Sequence, residues 1–337
     1  MPAEVVGIAN RGFAVVLQSI ERPAGGSMRI GYFEPLSRAW ERTRVILWQP
    51  FDLAKWLLLA FAAWVAGLTT DTGSAAAARA DSNDAGRQVW SGLDHAWDGI
   101  SASAIWLPLA VMGIMLGLAV AVLLLWVTSR FKFIFLGNVV RNEAEIVEPW
   151  KRHEALGNSL FLWRLCFSLA CVFGVLLVAL LFFAPAAGFS FHDALEGLSV
   201  AAGVLGVLGL VVFGIAAAFV ALMTESFVIP IMYRYEMPVL DAWRAFLPWL
   251  KARPAGFLVY GLFVLMLATI FAIFFGVFCM MTCCLAAVPY LGTVLLLPVW
   301  VTYRLLSVEF LAQFHPDFDL FRPLPENAEM VWVEEAE

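Results

Sequence analysis

Residues 225–257 read ESFVIPIMYRYEMPVLDAWRAFLPWLKARPAGF, and this stretch joins one long apolar run of the chain to the next. Within 238–251, apolar residues recur at three- and four-residue steps, with Asp241 and Arg244 between them. This pattern predicts a helix with one apolar and one charged side that lies along a membrane surface. Trp243 suits headgroup depth, and the basic residues suit lipid phosphates.

The same design occurs earlier in the chain. PLSRAW at 35–40 matches PVLDAW at 238–243, and EPWKR at 148–152 is a looser third copy. Because each copy precedes an apolar run, we predict three repeats of an interfacial helix followed by a helical hairpin. The alternative is that any Trp- and Arg-rich segment before a spanning helix has this appearance. The residues expected to contact lipid headgroups are Trp40, Arg44, Trp150, Arg152, Trp243, Arg244 and Lys251.

The composition is typical of a membrane protein. Hydrophobic residues make up 62% of the 337 residues and charged residues 14%, whereas soluble domains have roughly 25% charged residues. Six apolar runs are long enough to cross a bilayer as helices. The sequence therefore predicts an all-α fold, a polytopic bundle of six transmembrane helices within residues 28–313. The spans are predicted at 51–69, 104–127, 159–183, 198–223, 255–279 and 290–310.

Glycine and phenylalanine are unevenly distributed among the runs. The fourth run contains GVLGVLG at 203–209, which favours a place near the centre of the bundle, where small residues allow close packing. Gly113 and Gly117 of the second run form a GxxxG pair, a pattern that can bring two helices together. The fifth run is rich in Phe and is expected to face lipid.

The two ends of the chain differ from its middle. Residues 1–27 lack the small-residue cleavage site of a secretory signal peptide, and Met28 opens the first repeat almost at once. We therefore expect 1–27 to be a flexible or mis-annotated extension. Residues 314–337 are rich in Pro and acidic residues, which predicts a disordered acidic cytoplasmic tail.

The Lys and Arg counts of the loops predict the orientation. The segment before residue 51 carries six, and segments 129–157 and 225–254 carry five and four. The three opposite loops carry two, none and none. Because basic loops stay inside the cell, both termini are expected in the cytoplasm. The expected location is the bacterial cytoplasmic (inner) membrane, with several passes.

The charged residues of the spans avoid the middle of the membrane, which disfavours an ion-coupled transporter. Those near the cytoplasmic ends are Lys55, Arg130, Lys132, Arg164, Glu225, Arg304 and Glu309. A cytoplasmic vestibule that binds a ligand is one interpretation, with candidate residues Arg164, Glu225, Arg304 and Glu309. The alternative is that these side chains reach the water boundary and form ordinary ion pairs.

The sequence carries no motif of a known catalytic site. A phosphate-binding glycine loop, a GxSxG elbow and an HExxH pair are all missing from it. We therefore expect no catalytic, cofactor-binding or metal-binding residue, and no enzyme. The five cysteines are expected to be packing residues and not disulfides or zinc ligands. Expected partners are membrane lipids and a protein on the cytoplasmic face, but no nucleic acid.

Several motifs resemble known proteins. RFKFIFLGNVV at 130–140, VPYLGTVLLLP at 288–298 and SVEFLAQF at 307–314 are similar to a family of uncharacterised bacterial six-helix integral membrane proteins. The segment 228–243, with VIP and PVLDAW, distantly resembles the membrane domain fused to some glycerophosphodiester phosphodiesterases. The first resemblance implies the six-helix fold without an assigned activity. The second implies a link to lipid, but phosphodiesterase activity does not transfer because these residues include no hydrolase domain.

Three classes of function remain open from the sequence. The favoured one is a non-enzymatic membrane protein that organises lipids or partner proteins, because the distinctive residues lie in the surface segments. The second is a permease or channel for an uncharged or amphiphilic solute, which needs a cavity between spans. The third is an intramembrane lipid-modifying enzyme, which needs a polar cluster in a pocket that headgroups can reach.

Overall fold

The computed structural model describes residues 31–49, 51–80, 106–183, 196–281, 290–315 and 318–321. All regular structure in these ranges is helical, as predicted. A π-helical turn, Thr224–Val228, continues the sixth helix into the seventh. The predicted extension at 1–27 lies outside the described residues. The helices are α1 (Phe33–Trp48), α2 (Leu53–Ala80), α3 (Trp106–Arg141), α4 (Val147–Arg152), α5 (Glu154–Phe183), α6 (Glu196–Met223), α7 (Ile229–Tyr235), α8 (Val239–Ala252), α9 (Pro254–Met281), α10 (Leu291–Leu295) and α11 (Leu297–Ala312).

Four helical stretches in the described residues are long and apolar enough to cross a membrane. They are Pro108–Arg141, Glu154–Val178, Val204–Tyr235 and Pro254–Met280. The first predicted span corresponds to a shorter apolar stretch, Leu53–Thr69. The sixth corresponds to α11, which has 16 residues and is buried along most of its length. The predicted helical class is thus confirmed, whereas the six spans and the threefold repeat stay predictions.

Local sequence determines where α7, α8 and α9 begin and end. Glu236 adopts the left-handed conformation, with φ 49°, and α7 ends there. Pro238 has extended backbone and precedes the first residue of α8. Pro254 is the first residue of α9, a position where the missing N–H of proline removes no helical hydrogen bond.

Each of the four candidate spans has two differently packed halves. One end is buried in a compact body formed with α1, α7, α8 and α11, which we call the base. The other ends, which we call the distal halves, have exposed apolar side chains. Examples are Met115 of α3, Leu176 of α5, Val212 of α6 and Phe274 of α9, each about 60% exposed. The base therefore packs as a protein interior does, while the distal halves present apolar surface outward.

The apolar side of α8 faces the base. Ala242, Phe246 and Trp249 are buried, and the Phe246 ring centroid lies 5.4 Å from that of Phe227. The sequence pattern had assigned this side to lipid. The structure instead makes most of it a protein-packing face, because the π-helical turn and α9 occupy the space against it. Leu240 and Leu247, at 56% and 38%, are exposed.

The aromatic core of the base extends beyond α11. Phe314 and Phe318 are buried, although both belong to the segment predicted as a disordered tail. The Phe314 ring stacks on Phe257 with centroids 4.9 Å apart, and Phe318 lies 5.7 Å from Trp249. Packed structure thus continues to Leu320, and residues 322–337 lie outside the described part.

The glycines of the distal halves do not mark a tight bundle. A methyl group placed on Gly113, Gly117 or Gly214 would meet no described atom within 4 Å. The fourth span does not lie at the centre of a bundle of the described residues, because Val204, Val207, Val212 and Ile215 of its distal half are exposed. One close approach exists: a methyl on Gly174 of α5 would come within 2.5 Å of the Phe213 ring of α6.

Candidate functional site

The π-helical turn brings together two residues of the predicted vestibule, Glu225 and Arg304. The N–H of Ile229 bonds to the oxygen of Thr224, and Pro230 has no N–H to donate. The backbone oxygen of Glu225 is therefore left without its usual helical partner. Arg304 of α11 donates to this oxygen through Nη1 at 2.8 Å.

Lys132 of α3 completes this group. Its Nζ donates to Oε1 of Glu225, and its side chain is buried. The sequence places Lys132 among the boundary charges but not among the four vestibule candidates. A signal was present, since Lys132 and Glu225 lie nine and ten residues from the ends of their candidate spans, Arg141 and Tyr235. Two opposite charges at equal depth on apolar helices are expected to pair.

Arg164 of α5 lies beside this group without lining it. Its guanidinium donates to the hydroxyl oxygens of Thr69, Thr128 and Ser129, at 2.7, 3.2 and 3.3 Å. These acceptors belong to α2 and α3, so the arginine ties three helices together. It is also close enough to interact electrostatically with Glu225.

Glu309 is not part of this cluster. Its Oε1 lies 2.5 Å from Nε of Arg42 in α1, and the Arg42 guanidinium covers the Phe321 ring at 3.8 Å. This pair ties α1 to α11 and to the residues that follow α11. Of the four predicted vestibule residues, the structure joins Glu225 and Arg304 directly, places Arg164 next to them, and separates Glu309.

A cavity of about 70 Å³ opens beside Glu225 and Arg304. Its volume is that of about two water molecules. Small residues of α2 leave this space free, and polar side chains from α3, the π-helical turn and α11 surround it. The lining residues are Ala63, Ala66, Gly67, Lys132, Phe135, Glu225, Ser226, Trp300, Tyr303, Arg304 and Ser307.

The charges around the cavity do not balance. Lys132 and Arg304 line it together with a single carboxylate, that of Glu225, and Arg164 adds a third cation close by. Nε and Nη2 of Arg304 are buried and find no hydrogen-bond partner among the described residues. A buried cation without a full set of acceptors is costly. The arrangement is therefore suited to accept an anion.

The predicted headgroup contacts lie in α1, α4 and α8. Arg44, Arg152, Arg244 and Lys251 are exposed, and Trp40 is 46% exposed. Arg152 forms an ion pair with Glu236 at 3.9 Å, and Arg244 forms one with Asp241 at 2.9 Å. The positions fit headgroup contact but do not test it.

The two remaining tryptophans of that set pack against the protein. The Trp243 ring lies 5.9 Å from Trp163 of α5. Trp150 and Trp126 both contact the Arg130 guanidinium, whose central carbon lies 4.9 Å from the Trp150 ring centroid and 4.4 Å from the Trp126 ring centroid. Trp126 and Arg130 are an i, i+4 pair on α3, which local spacing can predict. Trp150 comes from α4, and no local pattern predicts its contact.

No metal site is found in the described residues, which contain no group of three or more His, Cys, Asp or Glu side chains able to share an ion. Cys166 and Cys171 are free thiols. Cys283 and Cys284 lie outside the described residues.

The fold and the cluster define an all-helical protein with apolar helices that are able to cross a membrane and a buried group of charges at their base ends. The chain belongs to a family of unknown function, DUF7544, whose model matches residues 32–314. This agrees with the resemblance to an uncharacterised family, while no link to glycerophosphodiester phosphodiesterases is shown. No curated protein and no solved structure matches the chain.

Proposed function

We propose that this protein is a non-enzymatic membrane protein that organises anionic lipids, or a partner protein, at the face formed by its base. The observation that carries the proposal is an exposed arginine on each of three short helices at the base ends of the spans: Arg44 on α1, Arg152 on α4 and Arg244 on α8. Basic residues near an anionic leaflet each add about 1 kcal/mol of attraction. Three of them on one body provide a surface for acidic headgroups.

The length of the candidate spans supports a membrane around the distal halves. Pro108 to Lys132 and Val204 to Glu225 cover about 36 and 32 Å at 1.5 Å per residue. The hydrocarbon core of a bilayer is about 30 Å thick. With the distal ends at one boundary of the hydrocarbon, Lys132 and Glu225 lie at headgroup depth on the other side. The base then faces the aqueous phase.

The direction of the helices supports the proposal of six crossings. Lys55, near the start of α2, contacts Asn142 at the base end of α3, whereas α3 begins at its distal end. The chain therefore reaches the distal side before α3 begins. Because α9 ends distally and α11 lies in the base, the number of crossings is even, as a total of six requires. We propose the bacterial cytoplasmic membrane as the location, with both termini inside.

Charge-removal variants test the lipid proposal. The full chain is reconstituted into vesicles that contain dansyl-labelled phosphatidylglycerol or dansyl-labelled phosphatidylcholine, and energy transfer from tryptophan reports the lipid in contact with the protein. We expect the triple variant R44Q/R152Q/R244Q to lose most of the preference for phosphatidylglycerol. Arginine variants are more informative than Trp243→Ala, because Trp243 also packs against Trp163.

The control is Arg87→Gln, which removes one charge from the segment between α2 and α3. We expect it to keep the preference of the wild type. An unchanged preference in the triple variant would contradict the proposal. Labelling of Lys151 and Lys251 in whole cells tests the orientation, since both are expected to react only after the membrane is permeabilised.

A second candidate function is a permease for an amphiphilic solute. The cavity beside Glu225 favours this candidate, because a permease needs a space between its spans. The π-helical turn that lines the cavity directly follows the glycine-rich α6. Uptake of a fluorescent amphiphile into proteoliposomes separates the two candidates. Transport that is abolished by filling the cavity supports the permease, and vesicles without transport support the organising role.

A further inference from the structure

We propose that the cavity between α2, α3, the π-helical turn and α11 binds a phosphate oxyanion, with Arg304 as its principal ligand. The inference rests on the proposed function, since it names a lipid phosphate as the group that a lipid-organising protein would hold there. A free phosphate has the same chemistry, and the experiment below separates the two sources.

The first argument is the charge balance. Lys132 is paired with Glu225 inside the cluster, so these two charges offset one another. Among the described residues, Arg304 binds a neutral backbone oxygen through Nη1, and Arg164 binds hydroxyl groups. In this part of the chain the two guanidinium groups thus have no carboxylate of their own beside the cavity. A bound anion would offset them, because buried charges are tolerated when paired.

The second argument is the unmet hydrogen-bonding capacity of Arg304. Nε and Nη2 are buried and find no acceptor in the described part of the chain. These two nitrogens lie on one edge of a planar guanidinium group, the fork that binds two oxygens of a phosphate or carboxylate. The third nitrogen is held by the Glu225 backbone oxygen, which fixes the plane of the fork. The side chain is therefore preorganised for a bidentate oxyanion.

The third argument is the size and position of the space. About 70 Å³ admits a small oxyanion group but not a whole lipid. Tyr303 lines the cavity and is 40% exposed, so the space is reached from outside the protein at this side chain. In the arrangement proposed above, the cluster lies at headgroup depth. A lipid phosphate can enter while its acyl chains stay against the exposed distal helices.

The experiment is native mass spectrometry of the full chain, delipidated in detergent and titrated with one lipid at a time. Phosphatidylglycerol and phosphatidylcholine carry the phosphate group, and diacylglycerol with the same chains lacks it. We expect one phosphatidylglycerol per chain to survive gentle activation and diacylglycerol to be lost. We expect Arg304→Gln to weaken the retained lipid about tenfold or more, in line with the loss of a charge-assisted bidentate contact. Arg304→Lys is expected to recover part of the binding.

A second variant keeps the test decisive if Arg304→Gln does not fold. Ala66→Leu fills the cavity and leaves every charge in place, so we expect it to fold and to lose the retained lipid. Gly113→Ala, at an open site in the distal half of α3, is the matched control and should bind as the wild type does. Wild-type retention in both Arg304→Gln and Ala66→Leu would overturn the proposal.

Inorganic phosphate identifies the source of the oxyanion. Retention of phosphatidylglycerol that millimolar phosphate does not displace supports a lipid ligand. Binding of inorganic phosphate by the wild type, lost in Arg304→Gln, together with no retained lipid, keeps the phosphate site and assigns it to a soluble ligand. Equal retention of diacylglycerol would overturn the phosphate site.

The proposed function and the phosphate site fail in different ways. The surface variant R44Q/R152Q/R244Q should lose the general preference for anionic lipid but keep the single retained lipid. Arg304→Gln should show the reverse. A surface variant without effect contradicts the organising role alone, and a cavity variant without effect contradicts the site alone.

Discussion

The two halves of the candidate spans have similar apolar sequences and very different surroundings. In α6 and the π-helical turn that follows it, Val212 is 59% exposed in the distal half, whereas Phe227 is completely buried in the base. The difference between the halves lies in the charges. Arg130, Lys132 and Glu225 all belong to the base ends. Hydropathy alone therefore finds helices, but the position of charges separates the part that packs from the part that is exposed.

The largest expected effect contrasts two phenylalanines, one in each half. Phe227 packs against Phe246, Phe257 and Tyr260, with ring centroids 4.8–5.4 Å apart. We expect Phe227→Ala to lower the free energy of unfolding by about 3–5 kcal/mol because it leaves a cavity. Phe274 of α9 is 59% exposed, and we expect Phe274→Ala to change it by less than about 0.5 kcal/mol. Unfolding by denaturant in micelles measures both.

A reversed order would break the comparison. If Phe274→Ala destabilised the protein as much as Phe227→Ala, the distal half of α9 would be packed against something, such as a second copy of the chain. Equal and small effects would instead show that the aromatic core of the base contributes little.

Much of the fold follows from the sequence because long apolar runs are a strong signal. The third, fourth and fifth predicted spans fall within α5, α6 and α9, and the second lies in α3 from residue 106 onward. The first and sixth predicted spans correspond to shorter apolar helices, Leu53–Thr69 and α11. Both pack in the base, and a run of apolar residues does not distinguish such packing from lipid contact. The apolar face of α8 is a further example, because its pattern suits lipid and most of it packs against the protein. An amphipathic pattern shows that one side is apolar, but not what covers it.

The second prediction uses two glycines as matched sites. A methyl group on Gly157 would lie 2.6 Å from Cγ and 3.2 Å from Cα of Arg130. Because the backbone as well as the side chain would have to move, we expect Gly157→Ala to cost about 3 kcal/mol. Gly113→Ala meets no described atom within 4 Å and should stabilise by about 0.5–1 kcal/mol through helix propensity. Thermal unfolding of both variants tests whether Gly157→Ala destabilises the protein and Gly113→Ala stabilises it.

The candidate site was only partly predictable. Glu225, Arg304 and Lys132 lie near the ends of apolar helices, so the sequence identifies them as boundary charges. Because Lys132 and Glu225 have opposite charges at the same depth, an ion pair between them is expected. The backbone oxygen that holds Arg304 could not be predicted, because it is free only as a result of the π-helical turn and Pro230. Glu309 was grouped with the site by position along the chain, but its partner Arg42 comes from α1.

The third prediction concerns a histidine at the base. His153 is 5% exposed, and its ring lies 5.3 Å from Tyr233. Burial, together with the charges of Arg152 and Arg141, lowers the pKa of His153 from 6.5 to about 4. The unfolded chain therefore binds more protons than the folded chain between these values, and stability falls as the pH drops from about 6.5 towards 4.

The expected loss from this histidine between pH 7 and pH 5 is about 2 kcal/mol. His153→Phe keeps an aromatic ring beside Tyr233 and removes the titration. The variant should therefore lose about 2 kcal/mol less than the wild type over this interval, measured as free energies of unfolding in the same detergent. Parallel pH profiles for the two proteins would show that His153 is protonated without cost in the folded state.

The smallest expected effect compares one hydroxyl group in each half. In the base, the Thr43 and Thr302 hydroxyl oxygens lie 2.9 Å apart and tie α1 to α11. In the distal half of α9, the described partner of Thr269 is the backbone oxygen of Leu265 in its own helix. We expect Thr43→Val to cost about 1 kcal/mol, since it removes a buried hydrogen bond. The cost stays near this value because Thr302 keeps its bond to the Pro298 oxygen at 2.6 Å. Thr269→Val should stay within about 0.5 kcal/mol of the wild type. If both valines cost the same, the difference between base and distal half would lie in aromatic packing alone and not in polar contacts between helices.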